Sequence, residues 1–182
     1  MIQKLATRMK PVLDYPLIRR TRRNHGLEHA TVHVLSGRIQ NLRIAGRSTH
    51  NGFVLIGDVS TEAVEQAVKE ALARMRAGEH SLATHPNCGT NLVTTGVLTA
   101  LVGLVGVAVN RKQSLWNRFS WLVMWMMAAQ VISQPLGMDV QRHFTTEGNP
   151  GELEVYGVTR YDVRLPWLQR AFTVHHVATR KG

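Results

Sequence analysis

Two short stretches carry side chains that could hold a metal ion and activate water: HGLEH at residues 25–29 and HSLATHPNC at residues 80–88. In the first, His25 and His29 stand four apart with Glu28 directly before the second. On a helix, positions i and i+4 project in nearly one direction, so both imidazoles can reach one ion. The order H-x-x-E-H inverts the zinc-peptidase signature, in which histidines ligate and the glutamate takes a proton from water. His33 continues the stripe, rotated about 80° from His25, and is the weaker candidate.

A catalytic zinc usually has three protein ligands and one open position. The second stretch offers His80, His85 and Cys88. A Cys88 thiolate completes a Cys/His/His set, and Pro86 and Gly89 bracket it in a tight turn. His85 is the alternative third ligand, or a group that orients substrate and stabilises an oxyanion. The expectation is therefore zinc, or another divalent transition metal, on His25, His29 and Cys88, with Glu28 and His85 in catalytic roles. Each piece also has a plainer reading: a solvated histidine face behind an arginine run, and a small buried cysteine at a helix start. His50, His143, His175 and His176 read as surface residues.

The elements that must position these groups follow from the patterning. A helix is predicted from about Thr21 to Leu35, ended by Ser36-Gly37. Residues 38–46 and 52–59 read as strands, with Asn51-Gly52 as a turn signal. Ser60 or Thr61 caps a helix whose apolar stripe, Ala63 to Met75, ends near Gly78. Residues 152–165 and 172–179 look like strands separated by Pro166-Trp167. The fold class is α+β: a helix, β-hairpin and helix at 1–88, a helical hairpin at 89–138, and a C-terminal β segment at 139–182 packing on the first part.

The middle of the chain sets the environment. From Pro86 to Asn110, and again from Phe119 to Met138, there is no charged residue. About 20 such residues in a helix match a ~30 Å hydrocarbon core, so both spans are predicted to cross a membrane as a hairpin. The loop between them is short and basic, and Trp116 and Trp121 suit the headgroup level. Thr95, Thr99 and Gly103 on one span, and Ala129 and Ser133 on the other, have the spacing that lets membrane helices approach closely.

The chain carries 22 Lys and Arg against 12 Asp and Glu, a net charge of +10. The basic residues crowd the N-terminus and the interhelical loop, with no interleaved stacking aromatics, so anionic lipid is the expected partner and nucleic acid is not. The first 20 residues lack the long apolar region of a secretory signal and suit an amphipathic segment lying on the membrane, interrupted at Pro11 and Pro16. One cysteine excludes an intramolecular disulfide. Arg111, Lys112 and Arg118 in the loop balance Arg74, Arg76 and Arg142 on the flanks, so the expectation of both termini in the cytoplasm rests on the basic N-terminus and the missing signal, and a reducing compartment suits Cys88 as a ligand. The expected location is the cell membrane, with the chain integral to it.

NHGLEHATVHVL, GFVLIGDV and HPNCGTNLVTTG together resemble a bacterial family of uncharacterised small membrane proteins; they span Asn24 to Gly96, roughly two fifths of the chain. The pairing of an H-G-x-E-H helix with an H-P-x-C-G-T turn is also similar to the YqhQ-type membrane proteins, described as predicted metal-dependent enzymes. The resemblance implies a site at His25, Glu28, His29, His85 and Cys88, and no substrate. Inverted-motif peptidases take a third glutamate ligand from a downstream helix, whereas Glu62, Glu65 and Glu70 here lie much closer to the motif. The expected activity is a membrane-anchored zinc hydrolase, a peptidase acting on membrane-proximal peptides. The alternatives are a non-catalytic metal site closed by His25, His29, His85 and Cys88, and a metal-free scaffold held against lipid.

Overall fold

The computed structural model describes residues 1–109, 114–165 and 170–182. The chain divides into two compact units, Met1–His85 with Arg142–Gly182, and Pro86–Gln141.

The first unit is α+β. Short helices α1 (Ile2–Arg8) and α2 (Lys10–Leu13) lead into α3 (Pro16–Arg38). The helix expected from Thr21 is longer at both ends: Pro16 at its first turn needs no amide partner there and has its φ preset. β1 (Ala45–Thr49) and β2 (Gly52–Ile56) form the hairpin. The strand expected over 38–46 is mostly absent, because α3 runs to Arg38 and Asn41 turns the chain at φ 55°. Arg47 to Thr49, expected as loop, are strand: pairing Thr49 with Gly52 leaves only His50 and Asn51 in the turn. α4 (Thr61–Arg76) starts at Ser60, whose Oγ accepts the Ala63 amide at 3.2 Å, as the sequence suggests.

β3 (Glu154–Leu165) and β4 (Arg170–Arg180) return to the same sheet. Its strand order is β1-β2-β4-β3, all neighbours antiparallel. The Pro166-Trp167 break falls outside the described residues. Helices α3 and α4 pack on one face of this sheet. Leu27, Leu35, Phe53, Leu55, Val64, Val68 and Val177 are fully buried there, the α4 stripe serving as core. Asn24 fastens α3 to two strand ends: its side-chain amide donates to the Thr49 carbonyl and its oxygen accepts from Thr179 Oγ1, both at 2.8 Å.

The second unit is two helices, α5 (Gly89–Val109) and α6 (Leu115–Val140). Among the described residues only α5 is long and apolar enough to cross a membrane. The second expected span is helical, but Ser120, Gln130, Ser133, Gln134 and Pro135 dilute its apolarity. Residues 110–113 of the expected basic loop lie outside the described residues; Ser114 caps α6, accepting the Asn117 amide at 3.4 Å. The small-residue faces meet: Thr95 Oγ1 and Ser133 Oγ are 2.7 Å apart, and Ala129 is buried. α6 ends in a π-turn, Gln141–Thr145.

Candidate metal centre

Three histidines of α3 and one from beyond α4 form a cluster within the first unit. The His25 and His29 ring centres are 4.4 Å apart. After α4, a 3-10 turn (His80–Ala83) packs on α3 and brings His85 to its surface. The His85 ring lies 6.2 Å from that of His29 and 4.9 Å from that of His33.

Main-chain carbonyls orient the α3 imidazoles. His25 Nδ1 is 2.9 Å from the Thr145 oxygen, and His29 Nδ1 is 2.9 Å from the Ala83 oxygen. A carbonyl only accepts, so in both rings Nδ1 carries the hydrogen and Nε2 is the lone-pair nitrogen of the neutral form. This is how metal-binding histidines are usually held: the ring nitrogen that does not ligate donates to a fixed acceptor. His33 is held the other way round, its Nε2 being 2.9 Å from the Thr84 oxygen.

The residue between the ligand candidates makes this possible. A Cβ on Gly26 would fall 2.5 Å from the Glu147 carbonyl oxygen and 3.2 Å from Ala83 Cβ. Glycine there lets both carbonyl-bearing segments press against α3. Arg22 clamps one of them, donating to the carbonyls of His143 at 3.3 Å and Thr146 at 3.0 Å and pairing with Glu147 at 3.1 Å.

Glu28 is buried, with its Oε2 accepting the Ser48 hydroxyl of β1. A side chain on Gly46 would overlap Oε1, so β1 makes room for the carboxylate at that position. Burial pushes the Glu28 carboxyl above its ordinary value, against the Ser48 bond and the nearby His25, which favour the anion. His85 is pushed the other way: burial, with His33 and His29 beside it, favours its neutral form.

Cys88 belongs to the second unit and is buried. Its carbonyl accepts the Asn91 amide at 2.9 Å and its Sγ accepts the Thr90 amide at 3.4 Å, so it opens α5. His80 is exposed and lines a polar cavity of about 340 Å³ with Ser81, Thr84, Arg142, Thr146 and Asn149. His50 is exposed at the hairpin tip. His175, expected at the surface, is buried on β4 with Nε2 3.2 Å from Thr61 Oγ1, because its register puts it beside Leu55 on the helix-facing side of the sheet.

The positioning residues Arg22, Gly26, Gly46 and Ser48 are not singled out by the sequence reading. The glycine inside a helical pattern was the available signal for Gly26, since it is costly there without a packing reason.

Residues 20–158 match the family described as "Domain of unknown function (DUF6391)". An uncharacterised protein of the cyanobacterium Picosynechococcus sp. (strain PCC 7002) is 38% identical over an alignment of 136 residues that covers 69% of this chain and 65% of the relative's length. No solved structure matches. With most of its length matched, the chain belongs to the DUF6391 family.

Proposed function

We propose that this chain is a membrane-anchored, zinc-dependent hydrolase, a peptidase acting at the bilayer surface. His25, His29 and Cys88 would hold the ion. The observation that carries this reading is the pair of Nδ1–carbonyl bonds, which leaves Nε2 as the lone-pair nitrogen on two adjacent rings. Cys88 follows His85 by three residues, a reach of about 11 Å at most, and two imidazoles with one thiolate are a donor set that zinc accepts. The likeness to YqhQ-type predicted metal-dependent enzymes supports the same class.

Zinc would lower the pKa of a bound water towards neutrality. Glu28, its proton affinity raised by burial, would take a proton on its carboxylate. His85, kept neutral, would donate a hydrogen bond to the substrate oxygen. The polar cavity, beside the segments whose carbonyls hold His25 and His29, gives room for peptide groups. Helices α5 and α6 would enter the bilayer as a hairpin, with both termini cytoplasmic and anionic lipid at the basic surface.

One observation favours a second reading, a non-catalytic site closed by His25, His29, His85 and Cys88. The Glu28 carboxylate is turned towards Ser48 and Gly46 of β1, where it accepts the Ser48 hydroxyl. Elemental mass spectrometry of purified protein separates the readings from a metal-free one: one zinc per chain is expected, lost in His29→Ala and Cys88→Ser. Glu28→Gln, assayed on membrane-proximal peptides, is expected to keep zinc and lose turnover. Zinc with no turnover in the wild type leaves the closed site, and no zinc in folded protein removes both.

A further inference from the structure

Residues 1–23 hold Lys4, Arg8, Lys10, Arg19, Arg20, Arg22 and Arg23 against the single acid Asp14. Most of the groups near α3 have an acceptor. Lys10 pairs with Asp14, Arg22 with Glu147 at 3.1 Å, and Arg20 donates to the Thr179 carbonyl at 2.6 Å. The side chains of Arg19 and Arg23 have none among the described residues; their Nε atoms, like those of Arg20 and Arg22, are buried without a partner.

Arg23 is only 9% exposed. A buried cation without a counter-charge is costly, and proteins normally supply a carboxylate or an anionic ligand. The acids that act on it from a distance are Glu147, Asp14 and Glu152. Glu147 is taken by Arg22 and Asp14 by Lys10, and exposed Glu152 makes no bond to Arg23. The guanidinium lies against the backbone of Gly151, where a Cβ would fall 2.7 Å from one of its nitrogens and φ is 54°. Arg19 sits one turn before Arg23 on the same helix face.

The segment leading into this pair is apolar on its outside. Leu5, Met9, Val12, Tyr15, Leu17 and Ile18 are all exposed. Exposed apolar side chains alternating with cations are how a segment lies in a headgroup layer, where each supplies part of the attraction.

We propose that Arg19 and Arg23 form a phosphate site that takes the headgroup phosphodiester of an anionic lipid, with the exposed apolar side chains of residues 5–18 resting in the interface around it. Two guanidinium groups one turn apart can divide the phosphate oxygens between them, and Arg recognises such groups through parallel N–H bonds. The apolar neighbours select lipid over free phosphate. This site rests on the membrane placement but not on the metal reading.

The test is native mass spectrometry of the full chain in a zwitterionic detergent, titrated separately with short-chain phosphatidylglycerol, short-chain phosphatidylcholine and inorganic phosphate. One phosphatidylglycerol per chain is expected, bound about tenfold or more tighter than either other probe and weakened at least about tenfold by Arg23→Gln. Arg19→Gln, at a half-exposed helix position, is expected to weaken it similarly and keeps the test decisive should Arg23→Gln not fold. Phosphate binding as tightly as phosphatidylglycerol would overturn the lipid assignment. Equal retention of phosphatidylcholine, or a phosphatidylglycerol adduct indifferent to Arg19→Gln, would overturn the site. Zinc content, read on the same samples, fails or holds independently of these outcomes.

Discussion

In the sheet-bearing unit, Leu27, Phe53, Leu55, Val68 and Val177 are fully buried. In the two-helix unit the buried side chains include Asn91, Ala129, Ser133 and Gln141, while Leu92, Val109 and Val131 are about three-quarters exposed, at 73%, 74% and 75%. The first arrangement is what water selects, since removing apolar surface from it is the main driving force of folding. The second is what hydrocarbon would select on the proposed membrane placement: lipid tails are as apolar as leucine, so small and polar groups would do the joining. Composition does not mark α6 as a span, since its polar residues dilute its apolarity. Where those residues point is more telling: Ser133 is buried and Val131 and Ile132 are exposed.

The comparison is broken most directly by cutting into each interior. Phe53→Ala removes a fully buried ring and is expected to cost about 3–5 kcal/mol, read from denaturant unfolding in detergent. Leu92→Ala, at 73% exposure, is expected to stay within about 0.5 kcal/mol in the same assay. Equal losses would show that the exposed face of α5 is a core awaiting a partner. Next in size is a charge on that face. Val97→Lys, at 55% exposure, is expected to lower membrane insertion by about 2.5–3.5 kcal/mol at mid-span in a translocon assay. Unchanged insertion would place α5 outside the bilayer.

The metal candidate sits where the first unit departs from its own rule, with Glu28 and His29 buried among apolar residues. Folding raises the Glu28 pKa above its ordinary 4.5, so the folded chain holds this proton more tightly than the unfolded one. Metal-free stability is then full below about pH 4.5 on this account and falls as pH rises through the folded value. Glu28→Gln keeps an acceptor for Ser48 and removes the slope. It is expected to stabilise metal-free protein at neutral pH, an advantage that disappears in acid, measured by thermal unfolding across pH. A variant less stable than wild type at pH 7 would mean that the ionised carboxylate braces α3.

Half of the candidate site was legible because it is local. His25, Glu28 and His29 fall within about one turn, and helical geometry fixes their neighbourhood whatever the rest of the chain does. His85 was legible only as a second cluster of suitable residue types. Its approach to α3 depends on the 3-10 turn, which short-range patterning does not specify. The Thr145 carbonyl lies 120 residues from the ring it holds and has no side-chain signature at all. The fold divides similarly. The α4 stripe and its Ser60 cap are periodic and local, whereas the return of β3 and β4 to the N-terminal hairpin is a long-range pairing. Residues 38–46 carry a strand-like apolar pattern, but Ile39, Leu42 and Ile44 pack against the core from a turn and its flanks.

The finest test of the comparison is the hydroxyl pair between α5 and α6. Thr95 and Ser133 are 2.7 Å apart, and Ser133 Oγ also reaches the Gln130 carbonyl at 2.7 Å. A hydroxyl that can return to its own helix does not depend on its neighbour for satisfaction, so Ser133→Ala is expected to cost only about 0.6 kcal/mol. The alanine removes one oxygen and leaves the close approach intact. Ser133→Leu would put bulk into the same contact and separate the helices, at about 1–3 kcal/mol. That ordering, measured by unfolding in detergent, distinguishes helices joined by fit from helices joined by a hydrogen bond. A Ser133→Ala loss as large as that of Ser133→Leu would mean that polarity, and not closeness, holds the second unit together.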